Sequence, residues 1–287
     1  MAVISTAMIK ELRERTSLGI IECKRALTEA NGDIQSAIDN LRKKGGVKTS
    51  KKAARTAADG VIAARVATDN SYGVIVEVNS ETDFVARDED FLNFVESVVD
   101  RAFVDRQTDV AVLRKALETE LQGLAQRLGE NISIRRVELL DGGTVGAYVH
   151  SNNRIAVLSQ LSAGDASLAK DVAMHVAAVN PEVVNPDDMP EDVLDKEKDI
   201  IKAQPDMKGK PDNIIEKMVS GRINKFLQEN SLTEQAFVKN PDVTVGQLAA
   251  KADAEVLSFV RFEVGEGIEV MKVEFAAEVA AQVKASQ

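Results

Sequence analysis

The sequence predicts an α+β chain. A small helical head precedes two copies of one strand–strand–helix–strand plan with antiparallel sheets, and the second copy is split by a helical hairpin. Two strand pairs carry this reading. Val61–Val66 and Tyr72–Val78 flank the turn residues Asp69-Asn70-Ser71, and Asp141–Val149 and Ile155–Leu158 flank Ser151-Asn152-Asn153. A third observation is the returning alternating strand that closes each copy, Ile132–Val137 and then Phe259–Val264. The copies match weakly residue by residue and more strongly as an order of elements.

In chain order, residues 5–44 read as a three-helix unit. Met8, Ile9 and Leu12 share a helical face, and Gly19 opens a second segment through Cys23 to Leu27. Asn31-Gly32-Asp33 is a stop followed by a cap. Glycine takes the left-handed position, and the Asp33 carboxylate accepts the free amides of the next helix. Ile34, Ala37, Ile38 and Leu41 stripe that helix. About forty residues make a marginal core, which gains from a docking surface. The acid-free stretch from Arg42 to Arg55 reads as a hinge followed by a solvated helix, with a phosphate or RNA patch as the alternative reading.

Beyond the first strand pair, Phe91, Phe94, Val95, Val98, Val99, Ala102 and Phe103 give a strong amphipathic helix, followed by a second helical stretch through Val112, Leu113, Leu117 and Leu121. In the second copy the helix carries Leu168, Val172, His175 and Val176. Residues 181–229 are rich in Pro and charge. Pro190 and Pro211 suit first helical positions, and Ile214, Ile215, Met218, Val219, Phe226 and Leu227 form an apolar seam. The expected units are 1–54 (head and basic linker), 55–140 (first copy), 141–180 with 230–264 (second copy), 181–229 (hairpin) and 265–287 (a C-terminal helical module around 275–283).

Composition narrows the function. The 287 residues are 44 % apolar and 29 % charged, with no run approaching the ~20 apolar residues of a membrane span. Met1 to Lys10 lacks the layout of a signal peptide, and one cysteine suits a reducing compartment, so a cytoplasmic location is expected. Residues 1–58 hold 12 basic and 6 acidic side chains; the remainder holds 24 and 40. Duplex nucleic acid would be repelled by that acidic body, and 4 % aromatics without Trp gives no stacking platform, so a protein partner is expected instead.

The catalytic inventory is empty. His150 and His175 sit on different elements, and no His, Cys, Asp or Glu spacing suits zinc. No serine occupies a nucleophile elbow, and neither Gly265-Glu266-Gly267 nor Lys208-Gly209-Lys210 completes a phosphate loop. His175 and Cys23 read as packing residues, and Asp187-Asp188 as solvated acids. No catalytic site and no cofactor are expected, which leaves a binding protein.

Three stretches carry a family likeness: Lys10–Thr16 leading to Cys23–Leu27 and Ala30–Asp33, then Thr82-Asp83-Phe84-Val85-Ala86-Arg87, then Phe262–Glu269. Together with Ile134-Arg135-Arg136 and Met174–Ala178 they closely resemble the bacterial elongation factor Ts family, the exchange factors of elongation factor Tu. The likeness runs along nearly the whole chain. It implies a ubiquitin-associated-type head, a two-subdomain core, a coiled-coil insertion and a C-terminal module. It implies binding to the GDP-bound and nucleotide-free partner and release of GDP so that GTP binds. The wedge of the family maps onto Asp83 and Phe84 with flanking Thr82 and Val85. Contacts on the head map onto Leu12, Ile20 and Ile21, where many relatives carry methionines at the last two. The family's histidine in the second hairpin turn maps onto His150. There the chain departs: Ser151-Asn152-Asn153 stands where relatives are glycine-rich.

Read without the resemblance, Phe84 has two placements. Thr82 or Asp83 could cap the helix of Phe91 and leave Phe84 at its lip, or a longer helix could bury Phe84 beside Phe91. The resemblance implies the exposed wedge. The competing function is a ubiquitin-associated-type adaptor or holding chaperone without exchange activity. The seam at 214–227 closes its own hairpin or pairs with a second copy, so a homodimer or two-by-two complex stays open.

Overall fold

The computed structural model describes residues 4–16, 19–41 and 55–269. The basic run from Arg42 to Lys52 and the expected helix at 275–283 lie outside these residues, and the tail of the basic stretch, 55–58, is not helical. Among the described residues no helix is long and apolar enough to cross a membrane.

The head consists of α1 (Thr6–Thr16), α2 (Ile20–Glu29) and α3 (34–41) around a core of Leu12, Cys23, Leu27 and Ala37. Its turn forms as expected. Gly32 takes φ 88° beside Asn31 at φ 50°, and Asp33 Oδ1 accepts from the Ser36 amide at 2.6 Å.

The body holds two three-stranded antiparallel sheets of identical order. The first runs β1 (Asp59–Val66), β2 (Tyr72–Ser80), β3 (Ser133–Asp141); the second runs β4 (Thr144–Val149), β5 (Ile155–Leu161), β8 (Val256–Glu263). Each middle strand slips register once against the third strand, at Glu77/Val78 and at Gln160/Leu161.

The sheets stack face to face over Ile62, Ile75, Val145, Ala156, Leu158 and Phe262. On the first sheet's outer face, Val74, Val76 and Val78 meet α4 (Glu89–Asp105) through Phe91, Val95 and Val98. On the second's, Val157 and Leu161 meet α7 (Ala166–Val179) through Ala169, Val172 and Val176. Strand β2 is therefore covered on both faces, which is why it reads as an apolar run rather than an alternation. The helical stretch after α4 is two helices, α5 (Val110–Ala116) and α6 (Glu118–Leu128), joined at Leu117.

Between α7 and β8 the chain forms α8 (Glu191–Lys202) and α9 (Asp212–Asn230), packed through Ile201, Met207, Val219 and Ile223. Pro190 and Pro211 stand one position earlier than expected, as the residues before each helix. Their carbonyls accept the first amides of each helix, including those of Leu194 and Ile215. The seam is corrected too. Ile215, Val219, Ile223 and Leu227 follow a four-residue row, with Met218 alongside, while Ile214 is exposed. The base is clasped by the Leu232 amide on the Val183 carbonyl at 2.9 Å. A small hairpin, β6 (Ala236–Phe237) and β7 (Asn240–Thr244), and α10 (Val245–Ala250) then complete the α7 core.

Candidate functional site

The turn after β2 is built to hold an aromatic ring outward. The Thr82 carbonyl accepts the Ala86 amide at 3.3 Å, and Thr82 Oγ1 lies 3.4 Å from the Val85 amide it accepts. These bonds lead into a single 3-10 turn, Val85–Arg87, closed by the Arg87 amide on the Phe84 carbonyl at 3.2 Å and the Asp88 amide on the Val85 carbonyl at 3.0 Å. Val85 and Ala86 are buried in the core of the first copy, whereas Phe84, immediately before them, is 81 % exposed. Asp83 pairs with Arg87 at 2.8 Å across the turn.

Three expectations change here. The cap of α4 is neither Thr82 nor Asp83 but Asp88, whose Oδ1 accepts from Asp90 and Phe91; its extended backbone, ψ 136°, ends the 3-10 turn before the helix begins. That break separates Phe84 from the face of Phe91 and removes the buried alternative. Val85 is an anchor under the turn rather than a surface contact, because it is packed among Phe91 and Phe94. The Thr82 side chain also turns inward: its hydroxyl donates to Glu130 Oε1 at 2.7 Å. Glu130, between α6 and β3, also accepts the Glu81 and Thr82 amides at 3.0 Å each. The sequence reading did not single out Glu130, since one acid in a polar loop carries no periodic or motif signal.

His150 is exposed at the end of β4, with Nδ1 3.2 Å from Tyr148 Oη. The departure from the glycine-rich pattern leaves this turn well formed. Asn153 supplies the left-handed residue at φ 55°, its amide donates to the His150 carbonyl at 2.8 Å, and its carbonyl accepts the Ile62 amide at 2.8 Å. Arg154 pairs with Asp59 and holds the turn onto β1. The two turns face each other: Asp83 and Arg87 form one wall of a cleft of about 380 Å³, Ser151 to Arg154 the other, and Val61 and Leu92 its floor.

On the head, Ile20 and Ile21 are exposed at 57 % and 87 %, but Leu12 is fully buried. Leu12 therefore packs the three helices together, under α2, rather than presenting a contact of its own.

A second polar centre lies where the copies meet. Glu77, fully buried in β2, accepts from Arg135 at 3.0 Å, Arg136 at 2.5 Å, Asn79 at 2.9 Å and the Gly265 amide at 2.9 Å. Arg136 also lies over the Phe262 ring at 4.0 Å and donates to the Glu263 carbonyl at 2.9 Å. Burial pushes the Glu77 carboxyl up, but the Gly265 amide, Asn79 and Arg136 outweigh it and hold it below the ordinary value. Gly265 is required there, with φ 76° and no room for a Cβ against the Ala58 carbonyl.

His175 is a packing residue, fully buried. Its Nδ1 accepts the Val238 amide at 3.3 Å, so Nε2 carries the proton toward Gln235 Oε1 at 3.0 Å. Burial depresses its pKa and Gln235 partly opposes the shift.

A family model described as "Elongation factor TS" matches residues 81–266, a span that holds the Phe84 turn, Glu130 and the His150 turn. The chain is similar to "Elongation factor Ts" of Teredinibacter turnerae, 66 % identical over 99 % of this chain and 98 % of that one. It is also similar to proteins of that name from Saccharophagus degradans, at 65 % over 99 % of each chain, and Pseudomonas aeruginosa, at 53 % over the whole of both.

Proposed function

The chain belongs to the elongation factor Ts family and is a nucleotide exchange factor of translation elongation, and from that premise we propose how its surface acts on its partner, elongation factor Tu. Phe84 is the wedge that enters the GTPase and disturbs the site holding Mg²⁺ and nucleotide phosphate. The observation that carries this reading is the 81 % exposure of a large ring whose two following residues are buried. The turn fixes the backbone beneath the ring, so the ring enters a pocket without the cost of ordering a loop.

Asp83 accompanies the ring at the rim, and the His150 turn forms the opposite lip of the same cleft. Thr82 and Val85 support from within. Burying one Phe is worth roughly 2–3 kcal/mol, or about 30- to 150-fold in an equilibrium. That is small against tight nucleotide binding, so the wedge works with separate footholds. Ile20 and Ile21 on a ubiquitin-associated-type head supply one apolar foothold. The α8–α9 hairpin corresponds to the family's insertion.

Reciprocity then sets the cycle. A factor that weakens nucleotide binding is itself weakened by nucleotide, so the chain binds the GDP form, persists on the empty GTPase and is expelled when GTP enters. The chain supplies displacement rather than catalysis, and the cytoplasm is where this work is done.

The experiment is release of fluorescently labelled GDP from elongation factor Tu in stopped flow. Phe84→Ala slows the catalysed release about 30-fold or more and leaves the melting temperature of the factor within about 2 °C, since the ring is exposed. An unchanged release rate rejects the wedge.

A further inference from the structure

We propose that Glu130 is a positioning residue for exchange: it sets the direction of Phe84 through Thr82 and touches no partner itself. The proposal rests on the reading of Phe84 as the wedge and adds the device that aims it.

One oxygen of Glu130 takes two consecutive amides, of Glu81 and Thr82, at 3.0 Å each. The other takes the Thr82 hydroxyl at 2.7 Å. Because that hydroxyl donates to Glu130, its lone pairs are left to face the Val85 amide at 3.4 Å, at the start of the turn that carries the ring. The path therefore runs from the Glu130 carboxylate through the Thr82 rotamer to the first amide of the 3-10 turn. Hydrogen bonds to an ionised acceptor are shorter and stronger than neutral ones, so the carboxylate is the stiff member of this path.

The clasp is reciprocal. Glu81 Oε1 accepts the Asn131 amide at 2.6 Å, so each of two adjacent loops holds the other's backbone. Glu130 is reached from α6 through Gly129 in the left-handed conformation, φ 81°, which turns the chain back toward β2. The second sheet's equivalent junction is clasped without a carboxylate: the Ser162 amide donates to the Glu255 carbonyl and Ser162 Oγ accepts the Glu255 amide, both at 2.9 Å, while Asp165 caps α7 at the Leu168 amide, 2.8 Å, and no aromatic is presented. A carboxylate clamp thus occurs where a ring must be aimed.

A shift of about 1 Å in a positioned group can cost on the order of 100-fold in rate, and loss of the clamp leaves Phe84 present but loosely aimed. Glu130→Ala is therefore expected to lower the maximal rate of labelled-GDP release from elongation factor Tu about tenfold, with the half-saturating concentration of factor changed less than about twofold. Thr82→Val removes only the hydroxyl and is expected to fall between Glu130→Ala and the parent. Glu130→Gln keeps one carbonyl oxygen for the two amides and is expected to stay within about threefold of the parent. Hydrogen exchange of the free factor supplies the independent readout: in Glu130→Ala the amides of 81–87 exchange faster while α4 and α7 keep their protection.

Phe84→Ala decides between failures. If it releases GDP at the parent rate, the wedge reading falls. If it is slow while Glu130→Ala matches the parent, the wedge stands and the clamp is rejected. In the Phe84→Ala background, Glu130→Ala is expected to add nothing. A further tenfold loss there, or loss of protection throughout α4 and α7, makes Glu130 an ordinary structural residue and overturns the proposal.

Discussion

The two halves of the body differ less in their sheets than in what leaves the second strand. In each, an asparagine in the left-handed conformation, Asn70 at φ 58° or Asn153 at φ 55°, makes the first turn. Each turn then crosses to the other half: Val145 donates to the Asn70 carbonyl at 2.7 Å, and Ile62 to the Asn153 carbonyl at 2.8 Å. Glu77 and Gln160 occupy equivalent positions, each at the register slip, and each reaches the segment that runs out of the opposite half. After the second strand the symmetry ends. The first half makes the 3-10 turn with Phe84 outside; the second passes through Gly164 into α7. One scaffold serves twice as a platform, and only one junction carries a protruding ring.

The most damaging way to break this near-symmetry is to make position 77 resemble position 160. Gln160 donates to the carbonyls of Asp141 and Gly142, so an amide suits it. Glu77 only accepts, from Gly265, Asn79, Arg135 and Arg136, so Glu77→Gln turns an amide group toward donors. Removing one partner of a buried ion pair costs about 3–5 kcal/mol; with Arg135 and Arg136 side chains 25 % and 28 % exposed, the lower end, about 3 kcal/mol, is expected. Urea denaturation measures it, and a loss under about 1 kcal/mol would mean that the joint does not depend on the charge.

A smaller effect compares the two turns. Asn70→Ala loses both the left-handed preference and the side-chain bond from Nδ2 to the Val145 carbonyl, 3.1 Å. Asn153→Ala loses the conformational preference, since its cross-link to Ile62 is made by backbone. Forcing alanine left-handed costs about 1 kcal/mol, and a side-chain hydrogen bond about 1 kcal/mol more. Asn70→Ala is therefore expected to destabilise by about 2 kcal/mol and Asn153→Ala by about 1 kcal/mol, with Asn153→Gly close to neutral. Equal losses for the two alanines would show that the turns are stabilised alike.

Much of this platform was legible in the residues because it rests on periodicity. The alternation around Asp69-Asn70-Ser71 and Ser151-Asn152-Asn153 marks both hairpins, and the spacing of Phe91 to Phe103 marks α4. The site was legible in part. Thr82-Asp83-Phe84 marks the candidate turn, but whether Phe84 faces in or out depends on Asp88, an extended residue with no periodic signature. Burial of Leu12 and Val85 was missed because an apolar residue looks the same on a core face as on a contact face. Glu130 and Glu77 were invisible for the opposite reason: an acid in a loop, or amid a strand, acquires its role only from amides and arginines that are remote in sequence.

Titration separates the halves most finely, because neither of the chain's two histidines lies in the first half and only His175 is buried. Burial holds the folded His175 below the ordinary histidine value of about 6.5. Between that folded value and about 6.5 the unfolded chain binds more protons than the folded one, so stability rises with pH through this window. The contribution is complete above about pH 6.5 and is lost as pH falls toward the folded pKa, at no more than about 1.4 kcal/mol per pH unit. Glu77 has a depressed carboxyl, so its contribution is present above the ordinary carboxylate range and is lost only in stronger acid. Urea midpoints taken from pH 7.5 to 5.5 are therefore expected to fall in the parent. The fall should flatten in His175→Leu, whatever that substitution does to the absolute midpoint by stranding Gln235. An undiminished slope in His175→Leu would place the titrating group elsewhere and remove this distinction between the halves.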